Sequence, residues 1–179
     1  MSGRTEREAA ENFTNYFQQT ISCITPQQLT AYRQSKKLYK VFLHPLAELP
    51  TKSGARLVLS ITQVFGVGPD PSDSSRFKVR TREYSYVLYQ LVKGQQDEIL
   101  AYHWHPHDSD LHSPHLHVRR VPRVHFPTSR VCLEDFVAMV INYYGAKPTM
   151  KRSEWKAILE RNRKAFEQMA SWKVNPPSI

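Results

Sequence analysis

The stretch RFKVRTREYSYVLYQLV, residues 76–92, decides the fold because it is a long run with the two-residue period of a β-strand. In its first half, the odd positions from Phe77 to Thr81 are apolar or β-branched and the even positions are cationic. The apolar phase then moves to the even positions from Tyr84 to Leu88. One extra residue near Glu83 would keep both halves facing one core, so we predict a β-bulge or a bend there.

Neighbouring segments predict three more strands. Residues 56–67 alternate apolar and hydroxyl side chains, and residues 98–105 and 115–124 have similar patterns. The segment GVGPDPSDSS, residues 66–75, has the composition of a loop, and Lys93-Gly94 predicts a tight turn. Short connections between successive strands favour an antiparallel four-stranded meander.

Both ends of the chain have helical patterns. Apolar residues recur at three- and four-residue steps from Ala9 to Ile21, and Thr25-Pro26 resembles the start of a second helix through Leu29 and Tyr32. We therefore predict an N-terminal helical extension over residues 1–45. Residues 46–179 are predicted to form a single α+β domain that ends in two helices, over 133–144 and 151–172. The sheet would pack against the N-terminal and C-terminal helices.

Composition narrows the functional classes. The chain has 179 residues, 40% of them hydrophobic, and no apolar run long enough to span a membrane. The N-terminus lacks the apolar segment of a secretory signal, and two cysteines cannot form a disulfide scaffold. We therefore expect a cytoplasmic protein with no membrane partner. Its net charge of +9 favours an anionic partner such as nucleic acid.

Seven of the eight histidines lie between His103 and His125. His103, His105 and His107 are spaced by two, as are His115 and His117, so each group would share one face of a strand. A basic run follows immediately and contains no carboxylate. Its arginines are Arg119, Arg120 and Arg123.

The first functional interpretation is metal-independent cleavage of RNA phosphodiester bonds. Imidazoles titrate close to neutral pH and can serve as general acid or base. We assign that role to His115 and His117, with His105 or His125 assisting. Arginine donates planar hydrogen bonds to phosphate oxygens, which suits the basic run that follows them. No cofactor is needed in this interpretation.

Two alternatives remain open. In one, His103, His105, His107 and Asp108 bind zinc in a zinc-dependent phosphoesterase. In the other, the protein binds nucleic acid without catalysis or acts as an adaptor.

A second set of cations alternates along the central predicted strand, with no acid among them. Such a face predicts contacts with a sugar–phosphate backbone. The set comprises Arg76, Lys78, Arg80 and Arg82.

Three stretches resemble the TumE-type toxins of bacterial toxin–antitoxin pairs: residues 102–107, the segment SPHLHV over 113–118, and LEDFV over 133–137. The resemblance covers roughly residues 55–145. It implies a small α+β toxin that acts on RNA or translation and is neutralised by a DNA-binding antitoxin. The residues that match are Tyr102, His107, His115 and His117.

The sequence thus predicts a toxin-like, RNA-directed protein, leaning towards a metal-independent endoribonuclease. Tyr102 joins the residues expected to contact nucleic acid. RNA and a DNA-binding antitoxin are the expected partners, and the long helical ends would suit a homodimer interface.

Overall fold

The computed structural model describes residues 1–107, 112–118 and 124–169. In this part of the chain three helices accompany one antiparallel sheet of nine strands. The elements, in chain order, are β1 (Ser2–Gly3), α1 (Glu6–Ser22), β2 (Leu29–Arg33), β3 (Leu38–Leu43), β4 (Ala47–Pro50), β5 (Arg56–Asp70), β6 (Asp73–Val92), β7 (Gln95–Trp104), β8 (His115–Val118), β9 (Phe126–Pro127), α2 (Leu133–Asn142) and α3 (Arg152–Met169).

The strands are ordered β2-β3-β5-β6-β7-β8-β9, with β1 paired to β6 and β4 paired to β5. The predicted α+β class is confirmed, and the predicted meander corresponds to the consecutive strands β5 to β8. The prediction of only four strands is wrong. The short strands β1, β4 and β9 have too few residues to show a recognisable period, so pairing partners alone define them.

The long hairpin of β5 and β6 contains the predicted bulge. Val64 pairs with Glu83 and Phe65 with Thr81, which leaves Arg82 as the extra residue. Phe77 and Val79 before the bulge, and Tyr84, Tyr86 and Leu88 after it, therefore all contribute to one hydrophobic core. We call this helix-covered side of the sheet the core face and the opposite side the outer face.

Residues 66–75 are not the predicted loop. Gly66 pairs with Arg80 and Gly68 with Lys78, so the hairpin continues to Asp70 and Asp73. The side chains of Asp70 and Asp73 accept hydrogen bonds from Ser72 and Ser75 and stabilise the tight turn. Continuous pairing with the long strand β6 thus outweighs the turn-like composition of this segment.

The second predicted helix is also wrong, because residues 29–43 form the β2–β3 hairpin. Leu29 pairs with Leu43 and Arg33 with Tyr39, and β3 in turn pairs with β5. Val41 and Leu43 face the core and are almost fully buried. Sheet pairing and the β-formers Thr30, Tyr32 and Val41 outweigh the helical spacing of Leu29 and Tyr32.

The core lies between the sheet and the helices. From α1, Phe13 packs on Phe65 of β5 with ring centroids 4.5 Å apart, and the predicted apolar stripe of α1 is buried. From α2, Phe136 packs against Tyr86 at 5.6 Å. Helix α3 is joined to α1 by the Tyr16 hydroxyl, which donates to the carbonyl of Asn162 at 2.8 Å.

The two C-terminal helices are confirmed. Helix α2 is followed by Gly145, whose φ of 72° is the left-handed conformation expected of a residue that ends a helix. Helix α3 begins at Arg152, and the predicted end at 172 lies outside the described residues. No helix among the described residues has both the length and the hydropathy required to cross a membrane.

Gly3 in β1 provides a test of the packing between β1 and α1. A Cβ atom at Gly3 would lie 2.5 Å from the backbone nitrogen of Ala9 and 2.9 Å from the carbonyl carbon of Glu8. The helix backbone cannot yield easily, and Gly3 is itself paired with Phe77. We expect Gly3→Ala to lower the free energy of unfolding by about 1–3 kcal/mol in urea denaturation. Ser2→Ala is the control, and equal stability of the two variants would contradict this packing.

Glu134 in the first turn of α2 provides a second test, through pH. It is 2% exposed, accepts a hydrogen bond from the Thr20 hydroxyl at 2.7 Å, and has a pKa raised chiefly by burial. The folded protein therefore binds this proton more tightly than the unfolded chain does. Its contribution to stability is complete below the unfolded pKa and is lost as the pH rises through the folded pKa.

We expect Glu134→Gln to flatten the pH dependence of unfolding measured in urea as the pH rises above the ordinary glutamate pKa of 4.5. Glu160→Gln serves as the control, because Glu160 is exposed on α3 and its pKa is lowered by Lys164. Identical pH profiles for the wild type and Glu134→Gln would contradict the assignment.

Candidate functional site

Strands β7 and β8 place histidines on the outer face of the sheet. His103 pairs with His115, while Tyr102 pairs with Leu116 and these two pack against the core. Alternation along each strand therefore directs the odd-numbered histidines away from the helices. His125 precedes β9, whose Phe126 pairs with Leu116, so it lies next to His117.

These rings form one cluster, which we call the histidine face. It consists of His103, His105, His115, His117 and His125. The closest pairs of ring centroids are His117 and His125 at 4.5 Å, and His103 and His117 at 4.8 Å. His115 lies 4.8 Å from His125 and 5.2 Å from His117. Three rings, those of His115, His117 and His125, thus contact one another directly.

The ring nitrogens also approach each other. His117 Nε2 lies 3.2 Å from His125 Nδ1, and His105 Nε2 lies 3.4 Å from His103 Nδ1. One nitrogen from each of His115, His117 and His125 falls within 4.8 Å of the other two. This spacing is close enough for three nitrogens to bind one atom between them.

Two oxygen atoms behind the cluster orient its rings. His115 Nδ1 lies 3.1 Å from the carbonyl oxygen of Ser113, which can only accept, so Nδ1 is the donor in this contact and Nε2 takes no part in it. His117 Nδ1 lies 3.8 Å from a carboxylate oxygen of Glu98. The second nitrogen of each ring therefore remains directed to the cluster.

Burial and mutual repulsion disfavour protonated imidazoles here. Burial, followed by the charges of the neighbouring histidines, lowers the pKa of His103 to about 3. The same causes, again with burial first, lower the pKa of His117. Burial raises the pKa of Glu98. These two imidazoles are therefore neutral at pH 7, the form that a general base or a metal ligand needs.

The structure brings together all four predicted catalytic histidines, His105, His115, His117 and His125. It also brings in His103, which the sequence suggested only as a zinc ligand. Of the four predicted zinc ligands, only His103 and His105 belong to the histidine face. His107 is exposed beyond the end of β7, and Asp108 lies outside the described residues. Arg119, Arg120 and Arg123 also lie outside the described residues.

Tyr102 does not belong to this site. Its ring lies edge-on to Phe136 of α2, with centroids 6.2 Å apart, on the core face of the sheet. Tyr102 thus lies on the opposite side of the sheet from the odd-numbered histidines, and its predicted contact with nucleic acid stays a prediction. Because Tyr102 is adjacent to His103 in the strand, the sequence alone could have indicated that the two side chains lie on opposite faces.

Sequence reasoning missed Glu98 and the carbonyl of Ser113. Glu98 lies 19 positions before His117 in the chain, and it reaches the cluster because β7 pairs with β8. A register shift between Leu88 and Tyr89 precedes its pairing with Tyr89. A backbone carbonyl carries no sequence signal at all.

Among the predicted cationic residues of β6, Lys78 and Arg80 alternate with the core residues Phe77 and Val79 and so face outward, whereas Arg76 lies in the irregular end of the hairpin. We call Arg76, Lys78, Arg80 and Arg82 the cationic strip. A Cβ atom on Gly66 would lie 3.3 Å from Nε of Arg82, and one on Gly68 would lie 3.9 Å from a guanidinium nitrogen of Arg80. These glycines leave space in which the two guanidinium groups lie over β5.

Two aspartates of the adjacent turn interact electrostatically with one end of the strip, Asp70 with Lys78 and Arg76, and Asp73 with Arg76. Among the described residues, none of the four cations forms a salt bridge with a carboxylate. Ser85, which pairs with His103, is three positions after Arg82. At ~3.3 Å per strand residue the strip ends ~10 Å from the histidine face.

Trp104 anchors the segments on either side of β8. Its indole nitrogen donates to the carbonyl of His112 at 3.2 Å, and Cζ of Arg130 lies 3.4 Å from the centre of its ring system. The next residue, Val131, donates its backbone N–H to the hydroxyl of Tyr84. These contacts fix the approach to β8 and the connection between β9 and α2, and with them the positions of the histidines.

Comparisons of the chain with protein-family models, with curated proteins and with solved structures found no match. The resemblance to TumE-type toxins is not tested by these comparisons and stays a prediction.

Proposed function

We propose that the protein is a phosphodiesterase that acts on RNA. The histidine face is its reaction centre, and the cationic strip binds the sugar–phosphate backbone. The observation that carries the proposal is the clustering of five imidazoles near a strand with four cations that form no salt bridge among the described residues. Imidazole and guanidinium groups together are what phosphoryl transfer requires.

The strip matches a polyanion better than a small substrate. Its four cations are spaced by two residues, so they extend over ~20 Å of strand at ~3.3 Å per residue. A small phosphate ester would contact only one or two of them. A chain of phosphates can contact several while one of its phosphodiester bonds lies at the histidine face.

The packing of the histidines changes the expected mechanism. In-line displacement puts the attacking and leaving oxygens on opposite sides of phosphorus, so a base and an acid must flank that group. His117 Nε2 and His125 Nδ1 instead lie at hydrogen-bond distance from each other. This arrangement favours a cluster that acts together on one atom over a simple acid–base pair formed by His115 and His117.

The resemblance to TumE-type toxins also supports the proposal that the protein acts on RNA. It suggests a toxin of the cytoplasm whose activity is blocked by a DNA-binding antitoxin, and a homodimer remains part of this proposal.

RNA cleavage by the purified protein tests the reaction centre. We expect His117→Ala to lower the cleavage rate by about 10²–10⁴-fold, the range typical of losing one acid–base group, with little change in RNA affinity. His107→Ala is the control, because His107 is exposed and lies outside the histidine face. Tight RNA binding without cleavage by the wild type would favour the non-catalytic alternative.

A salt titration tests the cationic strip. The double variant Arg80→Gln/Arg82→Gln should bind single-stranded RNA more weakly. The slope of log affinity against log salt should fall by about 1.4, since each phosphate contact contributes about 0.7. Arg56→Gln is the matched control, because Arg56 lies near the opposite end of β5 and pairs with Glu48. An unchanged slope in the double variant would place RNA elsewhere on the protein.

A further inference from the structure

We infer that His115, His117 and His125 form a zinc site on the outer face of the sheet. The three nitrogens already lie within 4.8 Å of one another, and the closest pair is 3.2 Å apart. Zinc–imidazole bonds of 2.0–2.1 Å in a tetrahedral centre place ligand nitrogens about 3.4 Å apart. Small rotations of the rings would bring the remaining pairs to that distance.

Secondary structure holds the three side chains in place. His115 and His117 share one face of β8, and pairing between Leu116 and Phe126 sets His125 beside His117. His115 is 5% exposed and so is fixed by its surroundings, whereas the ring of His125 is on the solvent side. The site therefore has a buried inner ligand and an accessible outer one, which gives a metal ion a path of entry.

The oxygens behind the rings complete the pattern of a metal site. Histidine ligands usually donate their second ring N–H to a carbonyl or a carboxylate, which fixes the tautomer and the ring orientation. His115 makes this contact with the carbonyl of Ser113 at 3.1 Å, and Glu98 lies 3.8 Å from Nδ1 of His117. His115 thereby leaves Nε2 as the coordinating atom, and in His117 it is Nε2 that lies 3.2 Å from His125 Nδ1. A surface cluster without such orienting partners would not select one nitrogen.

The ligand set selects the metal. Three imidazoles suit zinc and similar transition metals, whereas Ca²⁺ and Mg²⁺ take oxygen ligands. Three protein ligands leave the fourth tetrahedral position for water, as in catalytic zinc sites. His103, whose ring is 4.8 Å from that of His117, is the nearest further imidazole in the described part of the chain.

In relation to RNA cleavage, this inference rests on the proposed function. A zinc-bound water loses its proton near neutral pH and becomes a nucleophile. Its oxygen forms a bond to phosphorus while the bond from phosphorus to the leaving ester oxygen breaks. The released proton passes to that leaving oxygen through a neighbouring imidazole. Three imidazoles that meet around one point do not suit an acid–base pair. They suit the binding of one zinc ion that activates a water molecule.

Zinc binding can be measured without any substrate. Tag-free full-length protein is stripped with EDTA and titrated with ZnCl₂ by calorimetry, and the content of zinc after dialysis is determined by elemental analysis. We expect one zinc per chain. His117→Ala and His125→Ala should each weaken binding by at least about 100-fold, and Glu98→Gln by about 10-fold, as for an orienting partner.

Two controls separate a specific site from adventitious binding. His107→Ala and His44→Ala change histidines outside the cluster and should bind zinc as the wild type does. Because His125 is exposed, His125→Ala should fold normally, as circular dichroism would verify. Co²⁺ in place of zinc should give the visible absorption of a tetrahedral nitrogen-ligated site, and this absorption should be lost in His117→Ala.

The outcomes distinguish the zinc site from the proposed function. Zinc bound by the wild type, and lost in the His117 and His125 variants, supports the site even if no RNA is cleaved, in which case the proposed function fails. Full RNA cleavage by metal-free protein in EDTA overturns the part given to zinc in the reaction, and zinc affinity unaffected by either variant overturns the site itself. The first of these results would leave the proposed function standing.

Discussion

The pairing of β5 with β6, interrupted by one extra residue at Arg82, is the constraint on which the other features depend. Side chains alternate between the faces of a strand, so an unbulged pairing would move half of β6 to the wrong side. The bulge lets the apolar residues before and after it share one core with the helices. Because of the same bulge, the cations of β6 before it lie on the same outer face of the sheet as the histidines of β7 and β8.

The core face of the sheet stabilises the fold, and the outer face carries the side chains of the candidate functional site. On the core face, the three helices bury aromatic and aliphatic side chains, among them Phe13, Tyr86 and Phe136. On the outer face, the imidazoles of β7, β8 and the start of β9 face away from that core and are accessible from solvent at His125. Because β7 and β8 are closely spaced, the contacting rings have centroids 4.5–5.8 Å apart, and His105 and His125 lie directly beyond the ends of strands.

Oxygen atoms lie behind two histidines of the cluster, on the side away from the other rings. The carbonyl of Ser113 orients the ring of His115, and the carboxylate of Glu98 lies 3.8 Å from Nδ1 of His117. Burial lowers the pKa of His103 and His117, so protonated forms do not disrupt the cluster at neutral pH. A compact group of imidazoles near guanidinium groups that form no salt bridge among the described residues is well suited to act on a phosphodiester, and three of its nitrogens are well placed to bind a metal ion.

The sequence by itself determined the features that follow from local period and composition. These are the helices α1, α2 and α3, the meander β5 to β8, the bulge near Glu83, and the histidines that share a face at two-residue spacing. Only the tertiary structure decided which segments pair. It turned residues 29–43 and 66–75 into strands, moved Tyr102 to the core face and brought Glu98 and His125 to His117. The physical reason is that register between strands depends on backbone hydrogen bonds and burial across the sheet, and distant residues leave no periodic signal of their eventual contact.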